Sequence, residues 1–203
     1  MFVLGEPIIS ISKAGNEFKV CTKSRVLRAR RLIGTIPLRT MLSLCGFDDA
    51  PQLTSVELAS LFFSFKGDRG FDHSILYNFT LSGRWKRLTM FSDYYGAADG
   101  REYFCVEVNM RISGDEINQL AEDFTTITHN VGLFRGECRL EGYQTTRNAY
   151  PVYTTGASEA ARRAIAKLRD FGIEALGRQG GFDYLPSAWA TTIVVQNALS
   201  TKS

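Results

Sequence analysis

Apolar and polar residues alternate with a period of two in several short stretches, and this alternation predicts strands. Residues 8–33 alternate on both sides of a turn at residues 13–16, which predicts a hairpin that leads into a further strand. An apolar strand over residues 32–36 comes next, followed by Pro37 and a short helix that ends at Leu44. Further strands are predicted at residues 54–65, 74–80, 86–92, 101–110 and 133–143.

Two segments have the 3.6-residue period of an amphipathic helix, and a third helix is predicted near the C-terminal end. The first covers residues 114–129, and Ser113 with Glu116 predicts a capping box at its start. The second covers residues 158–171, with Ser158 expected to cap its first turn and Gly172 to end it. The third begins near Ser187. Strands in the middle of the chain with helices beside them predict an α+β fold, built on a mostly antiparallel sheet flanked by helices.

Composition and charge exclude several classes of function. The chain has 203 residues, 44% of them hydrophobic, which is enough for an ordinary core, and a net charge of +3 that does not indicate nucleic-acid binding. Two histidines are too few for a histidine-rich metal centre, and we expect no metal. Neither a membrane-spanning run nor an export signal is present, so we expect a cytoplasmic protein that does not enter the membrane. The four cysteines lack CxxC spacing and are expected to be reduced.

The segment over residues 149–186 combines several signals. Pro151 lies in a short apolar run that suits a strand edge, and the helix over residues 158–171 follows it. A short strand at 173–176 then leads into the glycine-rich run 177–181, just before the third helix. A helix N-terminus beside a glycine turn favours an electron-rich ligand group. A tight strand-to-helix turn with no ligand explains the same glycines.

The order of these pieces resembles a known family. A Tyr-Pro-Val run, a helix, an extended run and then Gly177-Arg178-Gln179-Gly180, with Tyr184-Leu185 shortly after, is similar to the C-terminal end of UDP-galactopyranose mutases. Protoporphyrinogen oxidase-like enzymes and the wider flavin amine-oxidase superfamily share much of this order. The resemblance implies that the Gly-Arg turn and the following helix close over a flavin ring. It therefore assigns FAD binding to Gly177, Arg178, Gly180 and Ser187, in the C-terminal remnant of an FAD-binding domain.

The same resemblance implies a substrate site. The stretch Trp85–Thr89 follows an Asn-aromatic strand, which places Arg87 on the family arginine near the flavin and the substrate diphosphate. Tyr150 and Tyr184 match positions where the family directs tyrosine hydroxyls to that diphosphate. A surface arginine and a core tyrosine are the ordinary alternatives for these residues. The chain departs from the mutases at residues 186–188, where Pro-Ser-Ala replaces an acidic motif, and no catalytic residue is assigned.

The GxGxxG unit that holds the pyrophosphate of FAD is missing from the sequence. We therefore predict a subunit of a split FAD-dependent oxidoreductase or mutase-like enzyme, inactive alone, whose partner polypeptide carries that unit and shares the FAD. The predicted organisation is a cofactor-domain hairpin and strand at 1–40, a substrate-type sheet domain at 41–150, and the helix, flavin-capping loop and last helix at 151–203. The substrate is a small molecule, and both a phosphorylated or nucleotide-linked compound and a small alcohol or amine stay open. A cofactor-free binding or regulatory module is the alternative function.

Overall fold

The computed structural model of the chain describes residues 2–109 and 116–200, which fold as two compact units. One unit combines residues 2–55 with 150–200, and the other is formed by Val56–Ala149. In chain order the elements are β1 (Ile8–Ala14), β2 (Glu17–Thr22), β3 (Val26–Ala29), β4 (Leu32–Gly34), α1 (Leu38–Leu44), β5 (Ser55–Arg69), β6 (Ile75–Tyr77), β7 (Trp85–Met90), α2 (Ser92–Tyr95), β8 (Glu102–Asn109), α3 (Glu116–Asn130), β9 (Phe134–Pro151), α4 (Ala157–Phe171), β10 (Ile173–Ala175), α5 (Gly177–Gly180) and α6 (Ala188–Ser200).

The first unit contains two small sheets. β1, β2 and β3 form an antiparallel sheet, while β4 and β10 pair as two parallel strands with Leu32 opposite Ile173. Helices α1 and α4 contribute to its core, where Leu42 and Leu168 are fully buried together with Phe18 of β2. Burying these side chains removes apolar surface from water, which is the main force that holds the unit together.

Helix α4 begins one residue earlier than its sequence indicates. The residue at its N-cap is Gly156, whose φ of 81° is left-handed, so Ser158 lies inside the helix and the prediction that Ser158 caps it is wrong. Gly156 reaches that conformation without a steric penalty, and this sets the start of the helix. The predicted end is confirmed, because Gly172 forms the C-cap with a φ of 103°.

The second unit is built on a five-stranded sheet with the order β6-β7-β8-β5-β9. On one face of this sheet, Leu61 of β5, Val106 of β8 and Leu88 of β7 are fully buried in a single core with α3. Phe124 of α3 packs at 5.2 Å, centroid to centroid, from the ring of Phe63. Alternate residues of the same strands point to the opposite face, as the period of two requires.

The α+β class and the mostly antiparallel sheet are confirmed. β9 is longer than predicted, because the strand expected at 133–143 continues to Pro151. α3 is present, while the capping serine expected at position 113 lies outside the described residues. Within residues 2–109 and 116–200, no helix is both long and apolar enough to cross a membrane.

Candidate functional site

Three residues singled out from the sequence come together in the first unit. The guanidinium carbon of Arg178 lies 5.1 Å from the ring centroid of Tyr150 and 5.7 Å from that of Tyr184. The two tyrosine rings are 5.7 Å apart and inclined by 53°. A cation at this distance from an aromatic ring is attracted by its electron-rich face. We call Tyr150, Tyr153, Arg178 and Tyr184 the tyrosine–arginine cluster.

Arg178 is held in place by the loop that follows it. Its Nη2 donates a hydrogen bond of 2.5 Å to the carbonyl oxygen of Leu185, and its own carbonyl accepts one of 3.0 Å from the N–H of Asp183. Phe182 is buried between these contacts at a φ of 48°, in the left-handed region that a phenylalanine rarely adopts. The loop is therefore folded back on Arg178, and this brings Tyr184 to the guanidinium.

Tyr153 is the member of the cluster that the sequence did not reveal. Its hydroxyl oxygen accepts a hydrogen bond of 2.8 Å from the N–H of Tyr184. The same hydroxyl lies 3.4 Å from the carbonyl oxygen of Phe182 and 3.5 Å from Oδ1 of Asp183, to which it can donate. Its position in the Tyr-Pro-Val-Tyr run was the only available signal, and the contact joins residues 31 positions apart.

The glycines of the loop have separate structural reasons. Gly177 has a φ of 79°, and a Cβ added there would meet nothing within 4 Å. At Gly180, a Cβ would lie 2.3 Å from the carbonyl oxygen of Gly34, so the loop packs directly on the end of β4. Residues 177–180 form the short helix α5 rather than an irregular turn. The backbone at Gly177 is thus the open part of this segment.

Ser187 stands directly before α6 and caps it. Its Oγ accepts a hydrogen bond of 3.1 Å from the N–H of Ala190. Although α6 is rich in apolar residues, none of its side chains is buried, and Trp189 is 74% exposed. An apolar helix without a buried face differs from an ordinary surface helix, which covers an apolar stripe with its own core.

Arg87 belongs to the second unit, on the sheet face opposite the core. It pairs across strands with Glu107 of β8, and its Nη2 contacts a carboxylate oxygen of that residue. Cys105 lies two residues before Glu107 in β8, on the same face of the sheet, and burial raises the pKa of its thiol to about 11. The family resemblance predicts that Arg87 lines the same wall as Tyr150 and Tyr184, and this remains a prediction.

Among the described residues, no group of His, Cys, Asp and Glu side chains has the arrangement of a metal site.

Solved structures of other proteins share this fold. A UDP-galactopyranose mutase matches with a TM-score of 0.73 and 20% identity, over 87% of this chain and 41% of its own. A protein assigned as a protoporphyrinogen oxidase from Exiguobacterium matches with a TM-score of 0.66 and 16% identity, over 96% and 47%. Cyclohexylamine oxidase from Brevibacterium oxydans gives 0.67 and 10% identity, over 96% and 47%. No protein-family model matches the sequence, and no curated protein is a significant match.

These neighbours are a mutase and two oxidases, and what the chain shares with them is a flavin amine-oxidase-like fold. The chain has a partial form of that fold, which confirms the resemblance read from the sequence. It spans less than half the length of each of these three neighbours. Identities of 20% or less establish the fold alone.

Proposed function

We propose that this chain is one subunit of a split FAD-dependent oxidoreductase or mutase-like enzyme, to which it contributes a substrate-binding sheet and a flavin-capping loop. The observation that carries the proposal is the parallel pair formed by β4 and β10. Parallel strands occur almost only in larger sheets that are covered on both faces. Two strands of three residues each are too little sheet to be stable by themselves, so we expect further strands beside them.

A second polypeptide with a strand–GxGxxG–helix unit would supply those strands and the pyrophosphate site. The sequence of this chain has no GxGxxG, and its structural neighbours are more than twice as long as the part they share with it. The same partner would cover α6, whose apolar side chains include the exposed Trp189 and Ile193. A partner that both continues the sheet of β4 and β10 and covers α6 would meet two requirements at once, which favours it over an unrelated protein.

The residues of the capping loop fit the ring end of FAD. The backbone at Gly177 is open, Arg178 presents a fixed positive charge, and Ser187 places the N-terminus of α6 beside the loop. Gly180 serves this arrangement by allowing the loop to pack on Gly34. When bound, FAD supplies a hydride acceptor. The hydroxyls of Tyr150 and Tyr184 would orient a small substrate, for which phosphorylated or nucleotide-linked compounds and small alcohols or amines are the candidates.

Four free cysteines favour a reducing compartment, and we propose a cytoplasmic location on that basis. Cys45, Cys105 and Cys138 have thiols whose pKa burial raises to about 11, which keeps them protonated and unreactive. Low reactivity of this kind is typical of cysteines with a structural role.

Co-expression with a GxGxxG-bearing polypeptide encoded beside this chain tests the proposal. We expect a stable complex that carries FAD in equimolar amount, measured by visible absorbance after gel filtration. The chain purified alone should carry none, since it lacks a pyrophosphate site. FAD bound stoichiometrically by the isolated chain would exclude the split enzyme. A stable complex without FAD would favour the cofactor-free regulatory module.

Matched variants test whether α6 contacts the partner polypeptide. Replacing Trp189 and Ile193 by serine removes apolar surface from one side of α6, and should abolish the complex while the isolated chain stays folded. Val131→Ser is the control, because Val131 is also an exposed apolar residue, and it follows α3 in the other unit. Equal loss of complex in both variants would show that α6 has no special part in it.

A further inference from the structure

Four polar side chains form one row across the sheet of the second unit. Tyr77 of β6 lies opposite Arg87 of β7, Arg87 opposite Glu107 of β8, and Glu107 opposite Ser60 of β5. Residues directly opposite one another in antiparallel strands point to the same face. With neighbouring strands about 4.8 Å apart, the row is roughly 14 Å long, the size of a small organic molecule.

The charge of Arg87 is already compensated inside this row. Its Nη2 contacts the carboxylate of Glu107, and the two side chains are 33% and 17% exposed. Burial raises the pKa of the Cys105 thiol to about 11, and Ser60, Glu107 and Arg87 each influence that pKa, so these side chains lie close together. The next row consists of Ile75, Thr89, Cys105 and Phe62 and contributes no formal charge.

A phosphate group at Arg87 would meet the carboxylate of Glu107. Recognition of phosphate by arginine uses the guanidinium fork, of which Nη2 is engaged here. If phosphate displaced the carboxylate, a mostly buried anion would lose its partner, and if it bound beside the carboxylate, like charges would repel. Both routes weaken an anionic ligand, whereas an uncharged hydroxyl or amide can donate to Glu107 and accept from Arg87.

We infer that Glu107 is a specificity-determining residue that excludes phosphate from Arg87, so that this row selects an uncharged, hydroxyl- or amide-bearing part of the substrate. The inference rests on the proposed function in one respect, that this sheet face contacts the substrate. It replaces the diphosphate role of Arg87 implied by the family resemblance. A phosphorylated substrate would then have to place its phosphate elsewhere.

Binding of inorganic pyrophosphate to the full chain, measured by calorimetry at constant ionic strength, tests the inference. Glu107→Gln keeps the shape of the side chain and removes its charge, so it should bind pyrophosphate at least about tenfold more tightly than the wild type. Adding Arg87→Ala to that variant should abolish the gain. The control is Glu159→Gln, which removes the same charge from an exposed ion pair with Arg163 on α4 and should change nothing.

The inference is overturned if Glu107→Gln binds pyrophosphate no better than the wild type, including the case in which no variant binds it. Should the glutamine variant fail to fold, Glu107→Asp retracts the carboxylate by one methylene and should give a smaller gain, and no gain would again overturn it. Because the experiment needs neither FAD nor a partner, its failure is distinct from the failure of the split-enzyme proposal.

Discussion

Replacement of Arg178 by alanine should destabilise the first unit far more than loss of a surface arginine does. Arg178 donates to the carbonyl oxygen of Leu185 and lies against the rings of Tyr150 and Tyr184. Leu185 is itself buried, so its carbonyl would lose a charged donor in a place that water reaches poorly. The loop over residues 182–185 would then lose one of the contacts that fold it back.

The expected loss follows from these contacts. A hydrogen bond to a charged group contributes about 1.5–3 kcal/mol, and a cation–π contact at a partly exposed site about 0.5–1 kcal/mol. The contributions share one half-buried guanidinium and therefore do not add fully. We expect Arg178→Ala to lower the free energy of unfolding by about 2 kcal/mol, against about 0.5 kcal/mol for an ordinary surface substitution.

Urea denaturation, followed by circular dichroism, measures this difference. Arg162→Ala is the matched control, because Arg162 is an exposed arginine of α4 in the same unit. Arg178→Lys separates charge from shape, since lysine keeps the charge but loses the planar fork, and should recover only part of the stability. If Arg178→Ala costs no more than Arg162→Ala, the reasoning from the loop contacts is refuted.

Three further predictions concern other parts of the molecule. Tyr153→Phe should lower the free energy of unfolding by about 0.5–1.5 kcal/mol and speed hydrogen exchange of the Tyr184 amide, because its acceptor is lost. In the folded chain at pH 8, iodoacetamide should modify Cys105 slowly, since burial raises the pKa of that thiol to about 11, and unfolding in urea should restore fast modification. The hydrogen bond with Arg69 holds the pKa of Asp93 below its ordinary value of 3.8, so this carboxylate stabilises the fold above that pH and its contribution is lost as pH falls through the folded pKa. Asp93→Asn should therefore reduce the loss of stability between pH 5 and pH 2, measured by urea titration at each pH.

Each of these predictions has a control. Tyr143→Phe changes an exposed tyrosine of β9 and should leave stability and exchange unaltered. Equal modification rates of Cys105 in the folded and unfolded chain would contradict its burial. Asp72→Asn changes an exposed aspartate of the same unit, and an effect on the acid transition as large as that of Asp93→Asn would show that the pair with Arg69 is unimportant.

Strands of the five-stranded sheet were predictable because one of their faces is buried against α3, and a sequence with period two records that burial directly. Leu61, Val106 and Leu88 belong to this readable pattern, and all three are fully buried. The residues that pair across neighbouring strands cannot be predicted from this pattern. The pairing of Arg87 with Glu107 depends on the register of β7 and β8, which shifts between Trp85 and Arg87. A slip of one residue would place Arg87 on the core face.

The candidate residues of the capping loop differ in how fully the fold alone explains them, without a cofactor. Packing on Gly34 accounts for Gly180, and capping of α6 accounts for Ser187, so the fold alone requires or uses both residues. The left-handed backbone at position 177 explains why this residue is glycine. The space around Gly177 is open, and packing of the fold does not account for that open space. Flavin binding is therefore tested poorly by substitutions at Gly180, which would disrupt the loop whether or not a flavin binds. Arg178→Lys in the proposed FAD-bound complex is more informative, because it keeps a positive charge beside the loop and removes the guanidinium fork. A change in flavin redox potential would then report on the cofactor rather than on folding.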